Sequence, residues 1–276
     1  LSPIDGALAE WEGPDAAEVM ELLAGVAALR RRMASTLDQD ASRLRRAAME
    51  QRRASTADPV TSVLIDRSGD GGRLVQRIGE RTATTVVILV PGASTDRSDR
   101  DRLRADARRV WDRIAERVER SESVAVLSWL GYDPPDVVVG ALDVSAAERG
   151  ASQLVADVDA LRAAGAQRIV VVGHSYGGVV SGRAILHGLD VDAVVQLGSP
   201  GLGAPGVVEQ AVANGIELHA ARAVDDPIGA VAGRLPGLYG DDGVGTSGVG
   251  VMSTSGRGHS SYLVDDEVLD QLARIS

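Results

Sequence analysis

The 276-residue chain contains no cysteine, no lysine and no phenylalanine. Without cysteine there is no disulfide, no thiol nucleophile and no thiolate-held zinc. Without lysine all 29 basic residues are arginine, which removes P-loop lysines, Schiff-base lysines and lysine general bases together. Aromatics amount to three Trp and four Tyr, so the core must be built from Val, Leu, Ile and Ala, and base-stacking platforms for nucleic acid are not supported. Positive charge is also in short supply. The 29 basic residues face 39 acidic ones, for a net charge of −10 and a field that repels polyanions, which argues against a nucleic-acid partner. No apolar run approaches the roughly 18 residues of a membrane-spanning helix, and no basic segment followed by an apolar one opens the sequence. The expectation is a cytoplasmic protein without an integral membrane segment. Its oligomeric state is not readable.

Residues 1–57 read as a helical extension. Asp15 with Glu18 three positions on has the form of a capping box, and Val19, Leu22, Leu23, Val26, Leu29 and Met33 recur at helical spacing. Arg30 to Arg53 forms a basic stretch, read as a solvated helix face; the extension itself is the expected cover of any site in the rest of the chain. After Pro59 the period changes. Thr61 to Arg67 and Arg73 to Ile78 flank a Gly-rich turn, as two strands of a hairpin would. Short β-branched runs then alternate with amphipathic patterns. Strands are expected at 86–90, 124–129, 169–172, 193–197, 216–223 and 249–252. The intervening helices are expected at 96–120, 144–164, 177–188 and 205–214, with a last helix at 264–275. Continuous apolar strands alternating with helices predict an α/β domain over 58–276, a mostly parallel sheet covered on both faces.

In open α/β sheets chemistry collects where strands end. The run Ile169 to Val172 leads into Gly173-His174-Ser175-Tyr176-Gly177-Gly178 and then a helical pattern. Gly-x-Ser-x-Gly between a strand and a helix is a nucleophile elbow: side chains at 173 and 177 would strike neighbouring elements, and the sharp turn lifts Ser175 out. A base and an acid are expected later, in the order Ser, Asp or Glu, His. His259, in the glycine-flanked loop Ser255 to Ser261, is the candidate base, whereas His219 sits inside a strand and reads as structural. The acid falls in Val224-Asp225-Asp226-Pro227, with Asp226 preferred over Asp225 because Pro227 biases residue 226 toward extended backbone. An oxyanion site needs amide donors. The N–H groups of Tyr176 and of Ala93, in the loop Pro91 to Thr95, fill that role. Ser94 is a candidate substrate contact or a cap for the helix at 96, and Tyr132 a candidate pocket residue.

With these pieces placed, the chain resembles the α/β-hydrolases. Val90-Pro91-Gly92, Gly131-Tyr132-Asp133-Pro134, Gly173 to Gly177, Asp226-Pro227-Ile228 and Gly258-His259-Ser260-Ser261-Tyr262 are similar to an uncharacterised subfamily from high-GC Gram-positive bacteria, over about residues 58–276. The resemblance implies an eight-stranded α/β-hydrolase fold and a triad of Ser175, Asp226 and His259. Many relatives place His-Gly where this chain has Pro91-Gly92.

Other signals are set aside. The glycine-rich Gly240 to Gly250 lacks the strand and helix that a nucleotide loop requires. His174 points away from the serine by the geometry of the turn, and no histidine–carboxylate cluster suggests a metal. The expected activity is a cofactor-independent serine hydrolase acting on a small-molecule acyl substrate such as an ester. Its alternatives are an acyltransferase using the same three residues and a catalytically silent, hydrolase-shaped binding module.

Overall fold

A computed structural model describes residues 61–66, 73–118, 123–136, 144–228 and 239–276. The helical extension expected at 1–57 and the turn at 68–72 lie outside the described residues. Eight strands form one sheet in the order β1-β2-β4-β3-β5-β6-β7-β8. They are β1 (Thr61–Asp66), β2 (Arg73–Gly79), β3 (Thr85–Val90), β4 (Val124–Leu130), β5 (Arg168–His174), β6 (Ala193–Leu197), β7 (Glu217–Ala221) and β8 (Gly250–Val251). β1 pairs antiparallel with β2 and β2 antiparallel with β4, and every other pairing is parallel.

The helices are α1 (Arg100–Ala115), α2 (Ser145–Ala163), α3 (Tyr176–Leu186), α4 (Val207–Asn214) and α5 (Asp266–Ile275). Alternation along the strands divides the core. Val86, Ile88 and Val90 face α2, α3 and α4, against Leu154, Val180, Ile185 and Ala211. Val87, Leu89, Val170 and Val172 face α1 and α5, against Val110, Ile114, Val268 and Leu272. Each fully buried Leu or Ile contributes about 1.5–3 kcal/mol relative to exposure, which is how a chain without Phe closes two core layers.

Helix α1 starts at Arg100, later than the expected 96. The first turn, Arg97–Asp99, is a 3₁₀ helix with Asp96 as N-cap: its carboxylate accepts from Ser98 N–H at 2.6 Å, and Asp99 answers on the Asp96 amide. The cap is therefore Asp96 and not Ser94. The Arg/Asp pattern on α1 is structural, as its spacing implies. Arg113 and Arg117 bind Asp270 of α5 at 2.8 Å, and Arg109 binds the buried Asp106 at 2.6 Å.

The order of strands is what positions a site. From β3 the chain crosses to β4 on one side, then returns to place β5 on the other, so the connections leaving β3 and β5 diverge. In open α/β sheets such a reversal is where a binding crevice forms, at the carboxyl edge. Val90 is paired with Gly173 in the β3–β5 ladder, which sets Pro91-Gly92 beside His174-Ser175.

Candidate active site

Ser175 stands between β5 and α3 with φ +55° and ψ −125°, a conformation that costs a non-glycine residue about 1–3 kcal/mol. Its backbone is held on both sides: Ser175 N–H donates to Leu197 O at 2.9 Å, and Gly178 N–H donates to Ser175 O at 2.9 Å. The flanking glycines meet the steric demand expected of them. A Cβ at 173 would lie 2.5 Å from Gly177 O, and one at 177 would lie 2.2 Å from Val90 O. Gly92 adds a third close approach, since a Cβ there would stand 2.7 Å from Ser175 Cβ. The loop carrying Ala93 thus runs directly against the serine.

His259 and Asp226 are joined. His259 Nδ1 lies 3.1 Å from each carboxylate oxygen of Asp226, and both residues are buried. Burial opposes ionisation of Asp226. Hydrogen bonds from His259, Tyr262 and the Ile228 amide outweigh it and hold the carboxyl below its ordinary pKa. Asp225 is used differently: it accepts from Gly258 N–H at 2.8 Å and faces Arg257 at 3.9 Å, fastening the loop that carries His259. Of the two aspartates, the imidazole meets Asp226.

The histidine loop is tied to the serine turn by His174. Its Nε2 lies 2.7 Å from His259 O, and the two imidazole rings stand 4.8 Å apart. A carbonyl acceptor requires the proton on Nε2. Burial and the neighbouring His259 push His174 down to about 3, so it is neutral at physiological pH. No hydrogen bond joins Ser175 Oγ to the His259 ring among the described residues. In unliganded sites such contacts are often long and close only when substrate binds.

The remaining candidates surround this group. Tyr176 follows Ser175 as the first residue of α3, and its hydroxyl accepts from Ala147 N–H at 3.2 Å. Ala93 is half-buried in the loop after β3, and Ser94 is exposed with φ +56° and donates its N–H to Pro135 O at 2.9 Å. Tyr132 is buried, stacks between Trp129 and Tyr176, and donates its hydroxyl to Pro91 O at 2.7 Å. It braces the Pro91-Gly92 turn from beneath. His219 lies on β7, 3.4 Å from Glu217 and two strands away from β5, which leads into Ser175.

Sequence reasoning missed Tyr262. Its hydroxyl accepts from Ala223 N–H at 2.9 Å and donates to Asp226 Oδ2 at 2.5 Å, in a fully buried position. The available signal was compositional: a buried tyrosine in a chain without phenylalanine needs a partner for its hydroxyl. Among the described residues no group of three or more His, Asp or Glu side chains could hold a metal ion, and no helix is long and apolar enough to cross a membrane.

The family described as "Alpha/beta hydrolase" matches residues 69–236. The chain is 30% identical over 158 residues to uncharacterized proteins of Mycobacterium tuberculosis and Mycobacterium bovis, which covers 52% of this chain and 59% of theirs. It thus spans little more than half the length of the curated relatives it matches. Among solved structures it is similar to an arylesterase, with TM-score 0.52 and 14% identity over 90% of this chain and 95% of that one. It is also similar to an esterase from the archaeon Pyrobaculum calidifontis, with TM-score 0.50 and 15% identity over 99% and 97%. At such identities the likeness is one of fold.

Proposed function

We propose, from the premise that this chain belongs to the alpha/beta hydrolase family, that it is a serine hydrolase cleaving an ester or related acyl bond without a cofactor. The observation that carries the reading is the buried His259–Asp226 pair, latched through His174 to a serine held at φ +55° on a strand-to-helix turn.

In this reading His259 Nε2 takes the proton of Ser175 Oγ as that oxygen attacks the acyl carbonyl, and Asp226 holds Nδ1–H and stabilises the imidazolium. The charge that develops on the carbonyl oxygen is met by the amides of Ala93 and Tyr176. The imidazolium returns its proton to the departing alcohol. Water, deprotonated by the same ring, then cleaves the acyl-enzyme and restores Ser175. In the same reading Ser94, exposed beside Ala93, contacts the substrate, and Tyr132 acts through the turn it supports.

The test is covalent. A fluorophosphonate probe should label the protein at Ser175 and leave Ser175→Ala unlabelled, with the circular dichroism spectrum of the variant unchanged. Hydrolysis of p-nitrophenyl esters by Ser175→Ala at near wild-type rate, or a wild-type protein inert to the probe, would overturn the assignment. Adding acceptor alcohols and analysing products separates hydrolysis from acyl transfer.

A further inference from the structure

Asp226 accepts more than the imidazole. Ile228 N–H donates to its Oδ1 at 2.9 Å, and the Tyr262 hydroxyl donates to its Oδ2. The direction of the second bond is fixed by chemistry. Ala223 N–H, which can only donate, already points at the Tyr262 oxygen from 2.9 Å. The carboxylate can only accept, so the phenol proton goes to Asp226.

The fold leaves a slot for this contact. Gly198, at the end of β6, has φ +58°, and a Cβ there would lie 2.7 Å from Asp226 Oδ2 and 3.0 Å from the Tyr262 oxygen. Three chain segments, the exits of β6 and β7 and the turn before α5, therefore meet at one hydrogen bond to the carboxylate. A carboxylate whose lone pairs are taken by fixed donors cannot rotate away from the imidazole. The same donors draw charge from it, so it stabilises an adjacent imidazolium less than a bare carboxylate would.

We infer that Tyr262 is a positioning residue, which orients the Asp226 carboxylate toward His259 and tempers its pull on the imidazolium proton. This rests on the hydrolase reading above. The other ionisable groups around the pair are His259 itself, His174 at the end of β5, Arg222 after β7, Arg102 on α1, and Asp225 with Arg257 on the two adjoining loops. Of these, His174 stays neutral down to about pH 3.

The experiment reads the rate of fluorophosphonate labelling against pH. Tyr262→Phe removes the donor, leaves more charge on the carboxylate, stabilises the imidazolium and moves the acid limb of the profile upward by roughly half a pH unit or more. It also slows labelling at the optimum by about tenfold, through lost orientation. Site-specific 3-fluorotyrosine at 262 strengthens the donor within nearly the same volume and moves the limb downward. Opposite shifts from the two changes are the expected result, since a packing defect alone does not titrate. A wild-type limb in both proteins would overturn the inference, and if Tyr262→Phe does not fold, the fluorotyrosine protein decides. Absence of labelling in the wild type at every pH would instead sink the hydrolase reading on which the inference stands.

Discussion

His259 Nδ1 is equidistant from the two carboxylate oxygens of Asp226, at 3.1 Å, while Asp225 turns to the Gly258 amide at 2.8 Å. Adjacent aspartates thus serve different ends, one on the ring and one on the loop that carries it. Asp226→Asn keeps the volume but offers the ring a donor and favours the wrong tautomer, so turnover should fall by about 10⁴-fold. Asp225→Asn keeps an acceptor for Gly258 N–H and should stay within about tenfold of wild type. Ester hydrolysis by the two variants at equal protein concentration checks this. A larger loss in Asp225→Asn would transfer the acid's role to that residue.

His174 makes acid stability measurable at one side chain. Its pKa falls from an ordinary value near 6.5 to about 3 in the fold. Between those values the unfolded chain binds a proton that the native protein refuses, so folding stability declines as pH is lowered through that window. One such group contributes a slope of at most about 1.4 kcal/mol per pH unit. In urea titrations from pH 6.5 to 4, His174→Gln should show a shallower decline than wild type while its amide still donates to His259 O. Parallel declines would mean that the residue is already protonated in the native state.

Among the described residues the strands, the helices and the serine turn were legible because each rests on local pattern. Apolar continuity marks β3 to β6, and Gly173 and Gly177 declare a turn too tight for side chains. Element ends were less so: the apolar stripe of α1 runs on past Ala115, and its start is decided by the Asp96–Asp99 capping box rather than by hydrophobic spacing. The turn at Ser175 follows from its motif, and the meeting of His259 with Asp226 was expected from chain order and from Pro227. What periodicity cannot carry is which distant side chains face each other. The His174–His259 latch spans 85 residues and the Tyr262–Asp226 bond 36, and both follow from the order of strands. Asp106, charged on paper, is buried because its helix turns it between Arg102 and Arg109.

Glycines of the chain should separate by what surrounds them. Gly177→Ala drives a methyl into Val90 O and Pro91 O, backbone atoms of a central strand that cannot step aside. Destabilisation of about 3 kcal/mol or more is expected, with loss of labelling. Gly165 has φ +101° at the end of α2 and nothing within 4 Å of an added Cβ. Gly165→Ala should cost only left-handed backbone strain, about 1–2 kcal/mol, and label at the wild-type rate. Denaturant midpoints together with probe labelling distinguish the cases. Equal effects in the two variants would show that the close approach at 177 is relieved by backbone movement.

Asp265 links the last helix to the loop of His259. Its carboxylate accepts from Glu267 N–H at 2.9 Å, capping α5, and from Gly256 N–H and Thr254 Oγ1 at 2.6 Å. Burial works against its charge, yet these bonds with that of Ser255 hold it below the ordinary carboxylate range. A depressed native pKa means that the carboxylate stabilises the fold above the unfolded value near 4 and ceases to do so as pH falls through the native one. Asp265→Ala removes a cap and leaves loop amides without an acceptor, at a combined cost of about 2 kcal/mol or more. Because Gly256 is three residues from His259, the loss should reach the chemistry: at a temperature where both proteins are folded, labelling of Ser175 should slow by about tenfold. A lower melting temperature with an unchanged labelling rate would confine Asp265 to capping the helix.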